Sequence, residues 1–103
     1  MNILEIIKPG RENAVTRQEL ASRMGMSDRS VRNMIEDARR EGALIVNRGD
    51  GEGYYLSDRL EDIRHQYNMN HHRAMSILAQ QRHLRRRMKE LEEADNGQTV
   101  LDI

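Results

Sequence analysis

The amino-acid sequence predicts a mainly α-helical fold that carries one small β-hairpin and ends in one long helix. Three observations predict it. Two amphipathic stretches, each opened by a hydroxyl residue, meet at Gly25. Two short runs, Leu44-Ile45-Val46 and Tyr54-Tyr55-Leu56, flank a hexapeptide with three glycines, and no glycine or proline occurs between Ser57 and Gly97.

The first apolar cluster, Ile3, Leu4, Ile6 and Ile7, has near-helical spacing and is stopped by Pro9-Gly10, which predicts a short helix over 2–8. Ala14 and Val15 are read as a brief strand. Thr16-Arg17-Gln18-Glu19 is a capping box: the Thr16 hydroxyl accepts from the Glu19 amide while the Glu19 carboxylate reaches back to the Thr16 amide, so a second helix starts at Arg17. It places Leu20, Ala21 and Met24 on one side and stops at Gly25, which tolerates the left-handed turn. Ser27 is the N-cap of a third helix, with Asp28 suited to its positive end and Val31, Met34, Ile35 and Ala38 forming one buried face. Gly42 is its stop. Two such helices joined by a short glycine turn make a helix-turn-helix.

Residues 43–47 and Tyr54-Tyr55-Leu56 then form a hairpin around the tip Arg48-Gly49-Asp50-Gly51-Glu52-Gly53. Strand alternation puts one tyrosine in the core and one outside. From Ser57, an N-cap with Asp58 and Glu61 behind it, one very long helix is expected, or two with a break near Asn68 to Asn70; if continuous to about Glu93 it spans roughly 50 Å at 1.5 Å per residue. Its apolar stripe is Leu60, Ile63, Tyr67, Ala74, Ile77, Gln81, Leu84, Met88 and Leu91, whose later members alternate steps of four and three as a coiled-coil seam does. Ala74, Ile77, Gln81, Leu84, Met88 and Leu91 are therefore assigned to dimerisation, with Gln81 weakening the seam and fixing its register. The alternative is that the stripe folds back on the hairpin domain. The organisation expected is a domain over 1–57, a dimerisation helix over 58–93 and a flexible tail over 94–103.

Composition narrows the function. The 103 residues are enough for one compact core, and with no Phe, no Trp and three tyrosines one monomer has little large apolar surface to bury, so part of it is expected to await a partner. The absence of cysteine excludes disulfides, and no apolar run approaches the ~20 residues of a membrane span, so a cytoplasmic protein with no membrane partner is expected. The 17 basic and 17 acidic side chains cancel. Binding to a polyanion must then rest on a local basic face.

The stretch from Val15 to Leu56 resembles the winged helix-turn-helix domains of biotin-repressor-type and DeoR-type regulators. The words that carry the resemblance are Val15-Thr16-Arg17-Gln18-Glu19-Leu20-Ala21, Met24-Gly25-Met26-Ser27, Ser30-Val31-Arg32, Ile35, Arg39-Arg40-Glu41-Gly42 and the wing around Gly53-Tyr54-Tyr55. The whole chain also resembles small phage or prophage proteins of this type. The resemblance implies a winged helix-turn-helix followed by a long C-terminal helix, with the third helix entering the major groove of double-stranded DNA. The helical step puts Arg29, Arg32, Asn33, Glu36 and Arg40 opposite the buried face. Arg29 or Arg32 would then fork to guanine, Asn33 would pair with adenine, and Ser27 or Ser30 would hold a phosphate, as would Arg17 and Arg48. Glu36 and Asp37 oppose phosphate unless turned aside; the bland alternative is a solvated face with Arg32 paired to Glu36.

Arg82, Arg85-Arg86-Arg87 and Lys89 form a second basic feature, read as a face paired with the glutamates that follow, with phosphate tracking as the alternative. His65, His71, His72 and His83 lack the four-residue spacing of a shared helix face, so neither metal nor any other cofactor is expected. No nucleophile sits beside a base and no glycine loop cradles phosphate, so no enzyme and no small-molecule substrate is expected. Two functions follow: a homodimeric, sequence-specific double-stranded DNA-binding protein, either a transcriptional regulator or a phage replication or regulatory protein, or a protein-interaction adaptor that uses the fold without DNA, favoured by the zero net charge.

Overall fold

The computed structural model describes residues 2–101, with side chains through 95. The chain divides into two compact units, 1–67 and 68–103. The first holds α1 (Arg17–Met24), α2 (Asp28–Arg40), the antiparallel strands β1 (Ile45–Asn47) and β2 (Tyr54–Leu56), and the opening turns of α3 (Leu60–Leu101). The predicted class, mainly helical with one hairpin and a long C-terminal helix, is the one observed.

The N-terminal segment departs from expectation. In place of a helix over 2–8 there is one 3-10 turn, Ile3–Glu5, whose Leu4 amide donates to the Asn2 side chain. The reason lies downstream: the Lys8 carbonyl accepts from the Leu56 amide at 2.9 Å, and the Gly10 amide donates to the Leu56 carbonyl at 3.0 Å. The backbone around Pro9 is thus spent on β2 rather than on a helix. A second 3-10 turn, Arg11–Asn13, brings the chain round to Val15. The strand expected there is a single antiparallel bridge, Val15 exchanging two bonds of 2.8 and 2.9 Å with Tyr54. The edge of β2 away from β1 is thereby closed.

Ile3, Ile6, Ile7, Val15, Leu20, Val31, Ile35, Ile45 and Tyr54 form the core, with Met24, Met34, Ala38 and Leu56 packed around it. Leu20 from α1 and Val31 and Ile35 from α2 are the helix contributions, at the positions their spacing predicts. β-Branched side chains do here what phenylalanine and tryptophan do in other small cores.

The hairpin is buried on both faces. Its register sets Val46 opposite Tyr55 and Asn47 opposite Tyr54. Tyr54 belongs to the core, but Tyr55 is only 1% exposed as well, which corrects the expectation of one outward tyrosine. The first turns of α3 supply the second cover. The Tyr55 hydroxyl donates to Asp62 Oδ1 at 3.0 Å, the Asn47 amide donates to Gln66 Oε1 at 2.8 Å, and His65 Nε2 lies 3.2 Å from the Asn47 carbonyl.

α3 begins at Leu60, three residues beyond the expected cap. Ser57 still organises its entry, because its hydroxyl accepts from the Arg59 amide at 3.1 Å and donates to Asp62 Oδ2 at 2.7 Å. Ser57, and after it Tyr55, hold the Asp62 carboxyl below its usual range. Burial, seconded by Asp62, pushes the Tyr55 phenol up.

In the second unit α3 passes through Asn68 and Asn70 without interruption and is helical to Leu101. Met75, Ile77, Leu78, Leu84, Met88 and Leu91 are exposed on it. The tail expected over 94–103 falls largely outside the described side chains. Among the described residues, no helix is long and apolar enough to cross a membrane.

Candidate nucleic-acid interface

α1 and α2 are set against each other by their caps. The Thr16 hydroxyl accepts from the Glu19 amide at 3.1 Å, which starts α1 at Arg17. The other half of the expected box is replaced: Glu19 accepts from Arg23 at 2.8 Å. Gly25 takes the left-handed conformation, φ 63°, and the Met26 amide closes back on the Ala21 carbonyl at 3.0 Å, the bond of a Schellman stop. Ser27 caps α2 by accepting from the Ser30 amide at 3.1 Å, and its own hydroxyl donates to the Ser30 hydroxyl at 3.0 Å. At the far end the Gly42 amide bonds the Arg39 carbonyl and the Ala43 amide bonds the Ala38 carbonyl, both at 3.0 Å.

With Val31 and Ile35 buried, the opposite face of α2 presents Arg29, Arg32, Asn33, Glu36 and Arg40 to solvent. Their charges are sorted by ion pairs. Glu36 is bound by Arg39 at 3.0 Å rather than by Arg32, Asp37 by Arg40 at 2.8 Å, and Asp28 by Arg17 at 3.0 Å. Every carboxylate of α2 is therefore neutralised by a named arginine. Arg29 and Arg32 take no ion pair among the described residues. The positive end of the α2 dipole adds to their field.

The other predicted contacts stand differently. Arg17 is half-buried and ties the start of α1 to Asp28 at the start of α2. Ser27 and Ser30 are exposed but already share a bond. Arg40 is exposed and held by Asp37. At the hairpin tip Arg48 donates to Asp50 at 2.8 Å, with Arg11 3.6 Å from the same carboxylate, and the Arg48 Nε is buried without an acceptor among the described residues. The Glu52 amide, and then Arg48, hold the Asp50 carboxyl below its usual range. Thr16, Arg17, Gln18, Asp28, Asn47, Gly51, Gly53 and Tyr54 line an open polar cleft between the start of α1 and the hairpin.

Sequence reasoning missed Arg39. Its side chain is 17% exposed and donates Nε and a terminal nitrogen to the Ile45 carbonyl at 3.2 and 3.1 Å. The guanidinium also sits 5.8 Å from the centroid of the Tyr54 ring. It clamps the end of α2 to β1 while turning Glu36 aside. Its place three residues after Glu36 and directly after Ala38 of the buried face was the available signal.

The family model for the HTH domain matches residues 1–55, more than half of the chain. The chain belongs to that family. Residues 1–55 of this HTH-domain protein are a winged helix-turn-helix DNA-binding domain, with α2 as the second helix of the motif and the β1–β2 hairpin as the wing. No curated protein and no solved structure matches the chain. The HTH family carries DNA binding, and on α2 Arg29 and Arg32 are exposed arginines with no ion pair among the described residues.

Proposed function

We propose that this protein is a sequence-specific regulator that binds double-stranded DNA as a homodimer, reading with residues 1–57 and pairing through 58–93. The observation that carries the reading is the division of labour on α2: its three carboxylates are matched to Arg17, Arg39 and Arg40, while Arg29 and Arg32 stay uncommitted on the exposed face beside Asn33. A guanidinium without an internal acid keeps its fork available for guanine O6 and N7, and Asn33 offers the donor and acceptor that adenine presents. Ser27, Ser30, Arg17, Arg40 and Arg48 stand at the periphery, where phosphate contacts position a protein without specifying sequence. The ladder Ala74, Ile77, Gln81, Leu84, Met88 and Leu91 supplies the dimer seam, and the exposure of its large members supports a partner for it.

Anisotropy titration of duplexes selected from random oligonucleotides tests the reading. Arg32→Ala and Arg29→Ala each cost about 1–3 kcal/mol on the selected site and relax its preference at one position, with little change on unrelated duplex. Affinity that is absent, or indifferent to both substitutions, defeats the proposal.

A further inference from the structure

We propose a second phosphate-binding surface, separate from the winged domain, on the α3 segment Arg82, Arg85, Arg86 and Lys89, and we assign its ligand as the backbone of duplex nucleic acid. From Asn68 to Lys89 the chain has Arg73, Arg82, Arg85, Arg86, Arg87 and Lys89 and not one aspartate or glutamate. The first unit is more fully paired, with Arg29, Arg32 and Arg64 as its arginines that take no ion pair among the described residues. There Arg11, Arg17, Arg23, Arg39, Arg40, Arg48 and Arg59 are each bound to an acid. On α3 Arg87 pairs with Glu90 at 3.0 Å, whereas Arg82, Arg85, Arg86 and Lys89 are exposed and take no ion pair among the described residues.

Each of these four cations has two of the others as helix-surface neighbours. Arg82 lies three residues from Arg85 and four from Arg86, and Lys89 lies three from Arg86 and four from Arg85, so the helix surface carries a closed rhombus of like charge. Each of its edges disfavours the helix that displays it, and a local conflict of this sort is expected where a partner supplies the missing charge. The rhombus extends about 10 Å along the helix axis, the span of about three phosphates of one strand at 3.4 Å of duplex axis each. One residue step turns the helix by about 100°, so Arg82, Arg86 and Lys89 are rotated away from the seam, while Arg85, four residues from Gln81 and three from Met88, borders it. Duplex nucleic acid is favoured over other polyanions because the same chain carries a DNA-binding domain.

The test measures the slope of log K against log salt on unrelated-sequence duplex for the full chain, for Arg82→Gln/Arg86→Gln/Lys89→Gln, and for Arg29→Ala/Arg32→Ala. Each lost phosphate contact lowers the slope by about 0.9, so the triple variant is expected to lose about two to three units for each protomer whose segment meets the duplex, equally on all sequences. Circular dichroism should show its helix retained or increased, and Arg82→Lys/Arg86→Lys should keep the wild-type slope. A triple variant with unchanged slope overturns the second surface and leaves the winged-domain reading intact. If instead the triple variant alone weakens binding while Arg29→Ala/Arg32→Ala does nothing on any sequence, the second surface stands and the winged-domain reading falls. A full chain that binds no duplex overturns both. Binding that moves to anionic vesicles and not to duplex overturns the assignment of the ligand.

Discussion

At Gly53 the backbone has φ +102°, and a Cβ built there would lie 2.0 Å from the Val15 carbonyl oxygen and 2.6 Å from the Thr16 amide nitrogen. Both are backbone atoms, so neither can swing aside as a side chain would. The two bonds between Val15 and Tyr54 sit next to that contact, and they attach the wing to the residue just before Thr16, the cap of α1. Gly53→Ala therefore strains its own dihedral and forces the wing away from α1, at an expected cost of about 3 kcal/mol in chemical denaturation. Gly51→Ala makes an internal comparison, because it has similar φ but open space around its Cβ position. It should cost about 1 kcal/mol, the strain alone. Equal losses at the two positions would show that the contact with Val15 does not bear on stability. The sequence shows three glycines at the tip but cannot rank them, since the ranking comes from a backbone some forty residues earlier.

Among the elements, what was legible is what is local. The Thr16 and Ser27 caps, the stops at Gly25 and Gly42 and the buried face of α2 each depend on residues within a few positions of one another, and each occurs as read. A three-residue 3-10 turn has no repeat to detect, so Arg11–Asn13 left no periodic trace. The burial of Tyr55 was hidden for another reason: its cover is the start of α3, and the partner that identifies it, Asp62, has an unremarkable place in a helix first turn. That junction makes an acid-dependent prediction. Asp62 has its folded-state pKa lowered, first by Ser57 and then by Tyr55, so it adds stability above the unfolded carboxylate pKa of about 3.9 that is lost as pH falls through the folded value. Ser57→Ala removes the larger donor. The difference in stability between about pH 6 and pH 2 should shrink in that variant, and Tyr55→Phe should shrink it less while costing about 1 kcal/mol near neutrality. Identical acid limbs in wild type and Ser57→Ala would remove Asp62 from the account of this junction.

For the whole molecule, neutrality of charge conceals two different arrangements, a winged domain whose arginines are mostly neutralised in place and a helical segment whose cations, Arg87 apart, take no ion pair among the described residues. The seam proposed on the same helix can be tested without reference to nucleic acid. Leu84 lies at its centre and is 59% exposed in the single chain. In a homodimer two copies of Leu84 leave water together, each worth about 1.5–3 kcal/mol, and Leu84→Asp replaces that gain with two like charges. The dissociation constant should rise by more than about a hundredfold, since each 1.4 kcal/mol is a factor of about ten, and light scattering should report a monomer at micromolar concentration. Gln81→Leu acts in the opposite direction. A polar residue in a seam costs stability and selects one register, so this variant should tighten the dimer by about tenfold or more and permit additional oligomeric states, visible as a broadened distribution in sedimentation. Met75→Asp, off the ladder but comparably exposed, should leave the association near its wild-type strength. A full chain that remains monomeric at every concentration, or a Leu84→Asp variant that associates as the parent does, would mean that this face of α3 is not where two copies meet.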